Sequence, residues 1–204
     1  MSREQQVLIV DDDAQLRDSV SVLLATANIA VKGYATAEHF LEAESPQGAA
    51  CVLLDVRLPG MSGIELLNRL KDQGSRHIVV MITGHGDVPM AVAAMRAGAF
   101  HFAEKPFDPD ALLHIVIEAL ARLERVVDTL QQSRENAHRY ESLSAREKQV
   151  LDLLVEGRPS KLIAYDLGIS TRTAEHHRSA VMKKMAAQSL SHLVRMALDL
   201  RKDP

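Results

Sequence analysis

Between residues 6 and 122 the chain alternates five short apolar runs with five amphipathic helical patterns, and this alternation restricts the fold more than any other feature. The strand candidates are 6–10, 30–34, 51–55, 78–83 and 100–103; the helix candidates are 14–26, 36–43, 63–71, 87–97 and 108–122. Strand, helix and parallel strand in succession predict an α/β fold, a doubly wound (βα)5 parallel sheet with helices on both faces. The punctuation agrees. Pro59-Gly60 and Ser62-Gly63 lead into the third helix, Thr83-Gly84-His85-Gly86 leaves the fourth strand, and Gly98 closes the fourth helix.

In an open α/β sheet, ligands bind outside the carboxyl ends of the strands. The buried run Val52-Leu53-Leu54 ends there on Asp55, and the first strand, Val7-Leu8-Ile9-Val10, ends on Asp11-Asp12-Asp13. Like charges so close raise one another's pKa or capture a divalent cation, and an oxygen-only set points to magnesium. Two more polar residues reach the same edge: Thr83 ends the fourth strand, and Lys105 follows the fifth, just before Pro106. Lysine, threonine and aspartates around a metal form a site for a phosphoryl group. Asp55 is then the nucleophile, Mg²⁺ shields its charge from the incoming oxygens, and Lys105 and Thr83 hold the product.

A chain of 204 residues that is 47% hydrophobic can support two ordinary domains, and 3% aromatics with no Trp imply cores packed by aliphatic side chains. The single cysteine, Cys51, forms no internal disulfide and reads as an inert core thiol suited to a reducing compartment. No apolar run approaches the length of a membrane span, so the expectation is a soluble, cytoplasmic protein with no membrane partner. Residues 1–120 hold 9 Lys/Arg against 16 Asp/Glu, whereas 142–204 hold 11 against 7. An acidic module joined to a basic one predicts a polyanion partner for the carboxyl-terminal part.

Past Asp110 the helical pattern continues. Leu112, Val116, Ala119, Leu123, Val126, Leu130, Ser133, Ala137 and Tyr140 follow at steps of three and four, a heptad seam, and no Pro or Gly interrupts residues 110–156. The stretch 123–141 would make a rod of roughly 28 Å at 1.5 Å per residue, paired with a second copy as a parallel coiled coil or packed as a spacer on its own domain. The last third carries helix signals alone. Ser144-Ala145-Arg146-Glu147 is a capping box for a helix stopped by Gly157; Pro159-Ser160 opens a second helix through Leu167. Gly168-Ile169-Ser170 then turns into a third helix from Thr171 to about Met185, and a fourth spans about 191–200. Two short helices about a Gly turn predict a helix-turn-helix whose second helix enters the major groove.

With its paired acids, strand-end Asp55, Thr83 and Lys105-Pro106, the segment 5–120 resembles the receiver domain of two-component response regulators. Thr83-Gly84-His85-Gly86-Asp87-Val88-Pro89-Met90 is close to the version in the FixJ-like branch of the FixJ/NarL family. The resemblance implies that Asp12 and Asp55 bind Mg²⁺ directly, that Asp11 acts largely through water, and that the backbone carbonyl of Arg57 is another ligand. It also implies a cis bond at Lys105-Pro106, and a switch in which Thr83 moves with the aromatic Phe102; plain core packing is the alternative for Phe102.

Residues 140–201 resemble the LuxR-type DNA-binding domain through Leu143-Ser144-Ala145-Arg146-Glu147, Val150-Leu151, Gly157, Lys161, Ile163-Ala164, Leu167-Gly168-Ile169-Ser170, Thr173, His177, Val181, Lys184, Ser189-Leu190 and Leu193-Val194. Ala174 and Met185 depart from the family's Val and Leu but stay apolar. Pro159-Ser160 replaces a small-polar-Asn pair and puts a backbone contact of the scaffold helix in doubt. A 3.6 period turns Ala174, Val181 and Met185 to the core. Glu175, His176 and Ser179 then fall on the family's base-reading positions, while Lys161, Arg172, Arg178, Lys183 and Lys184 are placed to hold phosphates. His177 lies between core and backbone contact. His176-His177 is not a metal pair, because adjacent helix positions point apart.

These expectations describe a transcriptional response regulator rather than an enzyme: a receiver (1–122), a helical linker (123–141) and a LuxR-type domain (142–204). A sensor histidine kinase would phosphorylate Asp55, and a homodimer would bind paired half-sites on double-stranded DNA, where RNA polymerase is open to contact. Two rivals remain at this point. One is a regulator that ignores phosphate and works by partner binding; the other is an Asp-based phosphatase using Asp11, against which the third-strand Asp55 and the basic helical tail both speak.

Overall fold

The computed structural model describes residues 6–45, 48–84 and 88–201, which divide into two compact units meeting between Val127 and Asp128. The first unit is a five-stranded parallel sheet in the order β2-β1-β3-β4-β5. Its strands are β1 (Gln6–Val10), β2 (Ala30–Tyr34), β3 (Cys51–Asp55), β4 (Ile78–Thr83) and β5 (His101–Glu104). The strand order reverses beside β1, and the carboxyl ends of β1 and β3, adjacent strands in register, flank that switch point.

Side-chain alternation along the strands divides the core in two. Leu8, Val10, Val52, Leu54, Val79 and Met81 pack with Phe40 of α2 (Ala37–Ala43), with Leu66 and Leu70 of α3 (Gly63–Asp72) and with Ala94 of α4 (Val88–Ala97). Val7, Ile9, Cys51, Leu53, Val80 and Ile82 face the other way, onto Val20 and Leu24 of α1 (Ala14–Ala25) and Leu112, Val116 and Ala119 of α5 (Pro109–Glu141). Every residue of β3 is buried, as a central parallel strand requires. Burial also pushes the Cys51 thiol up to about 12, which keeps it protonated.

Two expectations change in detail, and one falls on residues that are not described. The fifth strand occupies His101–Glu104, one residue later than the apolar run suggests, and Phe100 just before it already donates its N–H to Val79 O at 2.7 Å. The turn at His85-Gly86 and the helix start at Asp87 lie outside the described residues. The heptad seam is divided: Leu112, Val116 and Ala119 have no exposed surface and belong to the core of the first unit, so they are unavailable to a second copy. Only from Leu123 onward is the stripe half-buried rather than buried.

The second unit holds the end of α5 and four shorter helices, α6 (Ala145–Val155), α7 (Ser160–Asp166), α8 (Thr171–Lys184) and α9 (Leu190–Leu200). Leu143, Val150, Leu151, Leu154, Ile163, Ala174, Val181, Met185, Leu193 and Met196 form its core. Each start has a chemical reason. Ser144 and Glu147 form the reciprocal capping box, and Ser170 and Ser189 accept from the third residue of the helices they open. Pro159 precedes α7 and offers no side-chain cap, so this helix starts without that bond.

Candidate functional site

The turn after β1 is fixed by local bonds. Asp13 N–H donates to Asp11 Oδ1 at 3.0 Å, and the Asp13 carboxylate caps α1 by accepting from Gln15 and Leu16. Asp11 is thereby turned inward with no exposed surface, while Asp12 stays exposed. On the neighbouring strand Asp55 keeps 6% of its surface. Ligand oxygens of Asp11, Asp12 and Asp55 all lie within 4.8 Å of one another.

Among the described residues one ammonium faces these carboxylates. Lys105 Nζ lies 2.6 Å from Asp11 Oδ2 and 3.4 Å from Asp55 Oδ1. Its position follows from the backbone: Lys105 N–H donates to Thr83 O at 2.6 Å, and the Lys105–Pro106 peptide is cis. At 3.4 Å the ammonium is an electrostatic neighbour of Asp55 rather than a well-formed donor, and Asp55 Oδ1 is a buried oxygen without a hydrogen-bond partner among the described residues. Burial raises the Asp55 pKa above the ordinary carboxylate value; Lys105 opposes the shift and the Asp11 charge adds to it. An orphaned, electron-rich oxygen beside two more carboxylates fits a hard divalent cation.

Thr83 is buried at the end of β4, one residue beyond Ile82, the register partner of Asp55. Phe102 pairs with Met81 across β4 and β5 and packs, half-buried, against the core under α3 and α4. Arg57 follows β3 in an exposed turn. That turn returns immediately, because Val56 O accepts from Gly63 N–H at 3.0 Å. A Cβ on Gly63 would stand 1.9 Å from the Asp55 carbonyl oxygen, so only glycine lets α3 start against the strand end.

In the second unit α8 presents two faces. Ala174 and Val181 are buried on it and Met185 just beyond it, whereas Arg172, Glu175, His176, Arg178, Ser179 and Lys183 are exposed and His177 is half-buried. Glu175, Arg178, Ser179 and Lys183 line one shallow open groove with Met182 and Ala187. Lys161 is exposed on α7. Lys184 differs from the other basic residues: its Nζ lies 2.7 Å from Glu147 Oε2. That carboxylate is almost fully buried, and the Lys184 hydrogen bond, aided by the Ser144 N–H, lowers its pKa to about 2. Lys184 therefore anchors the end of α8 to the α6 cap. From the same first turn of α6, Arg146 donates to Gln149 Oε1 and to the carbonyl of Leu167, tying α6 to the turn before α8.

Two protein families match the chain over the two units, the response regulator receiver domain over residues 7–117 and the bacterial regulatory proteins of the luxR family over 141–197. The transcriptional regulatory protein FixJ of Azorhizobium caulinodans is 46% identical over 97% of this chain and 94% of its own length. FixJ of Bradyrhizobium diazoefficiens is 44% identical over 97% of each. The chain belongs to the FixJ-like response regulators. Among solved structures, the response regulator StyR superposes with a TM-score of 0.83 at 38% identity over 96% of this chain and 98% of that one. Full-length FixJ from B. japonicum gives 0.59 at 43% over 98% and 99%.

As a FixJ-like regulator the chain is a transcription factor with phosphorylation-controlled architecture rather than an enzyme, which sets aside the reading of Asp11 as a phosphatase nucleophile. The receiver and the LuxR-type domain imply a sensor kinase and DNA as partners. Among the described residues no helix is long and apolar enough to cross a membrane. Gly63 and Glu147 are functional supports that reading the sequence missed in part. Ser62-Gly63 registers there only as a turn signal, and Glu147 only as a cap; their tertiary contacts to Asp55 and Lys184 leave no periodic trace.

Proposed function

We propose that Asp55 is the phosphoryl acceptor of this response regulator, and the observation that carries the reading is its buried, unpartnered Oδ1 at the end of β3 beside Asp11 and Lys105. An Asp55 oxygen attacks the phosphorus of a phosphohistidine on the kinase; the P–N bond breaks, and the imidazole nitrogen keeps the electron pair and takes a proton. Asp11, Asp12, Asp55 and the Arg57 carbonyl would hold Mg²⁺, which would supply the positive charge that lets an anionic donor approach a carboxylate. Lys105 leaves its close pairing with Asp11 for a phosphoryl oxygen, and the Thr83 hydroxyl donates to another. Phe102 shares the β4–β5 edge with Thr83 and Lys105, which suits it to follow their movement.

The output lies on α8. Glu175, His176 and Ser179 read base edges, and Lys161, Arg172, Arg178 and Lys183 hold phosphates, with His177 at the backbone margin. The functional divisions are 1–122 for the receiver, 123–141 for a helical linker and 142–204 for the DNA-binding domain. A homodimer on paired half-sites, access to RNA polymerase and a cytoplasmic location complete the reading. The test incubates the full chain with acetyl phosphate and Mg²⁺. Intact mass should gain one phosphoryl group, absent in Asp55→Asn and in EDTA; an equal gain in Asp55→Asn refutes the assignment.

A further inference from the structure

Two charged side chains outside the acid pocket are bonded to the main chain of the turns that carry it. Arg17, on the second turn of α1, donates from Nη1 to the carbonyl of Asp11 at 2.5 Å. Glu38, on the first turn of α2, accepts the Met61 N–H at 2.8 Å on Oε1, and so holds the turn that runs from Arg57 to the α3 cap. Each is seated over a glycine. A Cβ at Gly33 of β2 would come 3.2 Å from Arg17 Cδ, and one at Gly60 would come 2.7 Å from Glu38 Oε1. The Glu38 bond spans 23 residues, and the two bonds reach the turns that follow β1 and β3 at the carboxyl edge of the sheet. Neither side chain touches Asp12, Asp55 or Lys105 in any described contact, so direct chemistry does not account for them.

We propose that Arg17 and Glu38 are positioning residues that set the spacing of the two oxygen-bearing turns, and thereby the divalent-cation affinity of the pocket. The inference rests on the reading of Asp11, Asp12 and Asp55 as a cation site and deepens it. A carbonyl or carboxylate ligand is held to within a few tenths of an ångström only if its turn is fixed, and groups that orient ligands commonly govern affinity by about 10–100-fold. Arg17 fixes Asp11 from behind, leaving the Asp11 carboxylate free for Lys105 and the cation. Glu38 fixes the far end of the β3–α3 turn, so that the carbonyls between Asp55 and Met61 cannot swing outward. Gly33 and Gly60 provide the space each brace occupies.

The experiment measures Mg²⁺ binding to the unphosphorylated full chain by titration calorimetry, for the parent, Glu38→Ala, Glu38→Gln, Arg17→Ala and Gly33→Val. A parent that binds no Mg²⁺ refutes the cation-site reading itself and the inference with it. If the parent binds, the inference expects Glu38→Ala, Arg17→Ala and Gly33→Val to bind roughly 10-fold more weakly. Glu38→Gln, whose amide oxygen still accepts from Met61, should stay within about twofold of the parent, and thermal midpoints of the Glu38 pair should coincide. Parental affinity in Glu38→Ala overturns the inference, as does equal loss in Glu38→Ala and Glu38→Gln, which would assign the effect to charge. Glu38 is exposed, so its variants decide the matter even where Arg17→Ala fails to fold.

Discussion

In the first unit Asp11 and Asp55 keep 0% and 6% of their surface, whereas in the second Arg172, Glu175, His176, Arg178, Ser179 and Lys183 all stand exposed on one helix. The pocket stores repulsion: like charges and a desolvated carboxylate are held together by a single lysine and by backbone bonds to neighbouring turns. Nothing comparable is stored on α8, whose outward residues are ordinary solvated side chains and whose placement depends on contacts behind it, chiefly Ala174, Val181 and the Lys184–Glu147 pair. On the proposed reading, the site that responds to one phosphoryl group is thus built under strain, and the surface that meets a polyanion is built to be desolvated at little cost. Substitutions should therefore act in opposite ways in the two regions.

The largest effect is expected at Lys105. Replacing it with Met leaves the buried Asp11 carboxylate without its partner, and urea unfolding in EDTA should show a loss of about 3 kcal/mol or more. Saturating Mg²⁺ should restore part of it, because a ligand bound only by the folded state adds stability. Gly63→Ala follows, at about 2–3 kcal/mol, since the new methyl would overlap the Asp55 carbonyl oxygen and must displace the strand end or α3. Its phosphorylation by acetyl phosphate should fall even where the chain remains folded. Parental stability and rate in Gly63→Ala would show that the strand end is not fixed as described.

Lys184→Ala should cost the second unit about 1–2 kcal/mol, discounted because the lysine is partly exposed. Its effect has a pH signature. Glu147 has its pKa lowered to about 2 from an ordinary 4.5, so the stabilisation is present above pH 4.5 and is lost as pH falls from there toward 2. Parent and Lys184→Ala should thus converge in stability across that window; a gap that persists at pH 2 would assign the effect to packing. The smallest change in stability, within about 0.5 kcal/mol, is expected for His176→Ala, Ser179→Ala and Lys183→Ala. In DNA selection these separate: the first two should alter base preference by about 1–3 kcal/mol per lost contact, and Lys183→Ala should weaken all sequences alike and lower the salt slope by about one unit.

The same contrast decides what could be read without coordinates. Strand and helix positions follow from short continuous apolar runs and period-3.6 patterns that hydrophobic burial imposes locally, and the acids at two strand ends are visible because the sheet rule assigns them one edge. The seam from Leu112 to Tyr140 misleads for the same reason. A stripe at steps of three and four looks identical whether it faces a second helix or its own sheet, and Leu112, Val116 and Ala119 face their own sheet. Lys184 carries the charge of a phosphate anchor, and its added bond to Glu147, 37 residues away, has no local trace in the sequence. Arg17 and Glu38 lie on polar helix faces, where patterning is silent about a bond to the main chain of another turn.

On the proposed reading, charge added at Asp55 in the first unit changes what the second unit does. This is tested most directly by measuring DNA affinity of the full chain with and without acetyl phosphate in Mg²⁺, beside Asp55→Asn, on fragments selected from genomic DNA. Binding should tighten on phosphorylation in the parent and stay unchanged in Asp55→Asn. Equal affinity in the phosphorylated and unphosphorylated parent, with phosphate on Asp55 confirmed by mass, would contradict it.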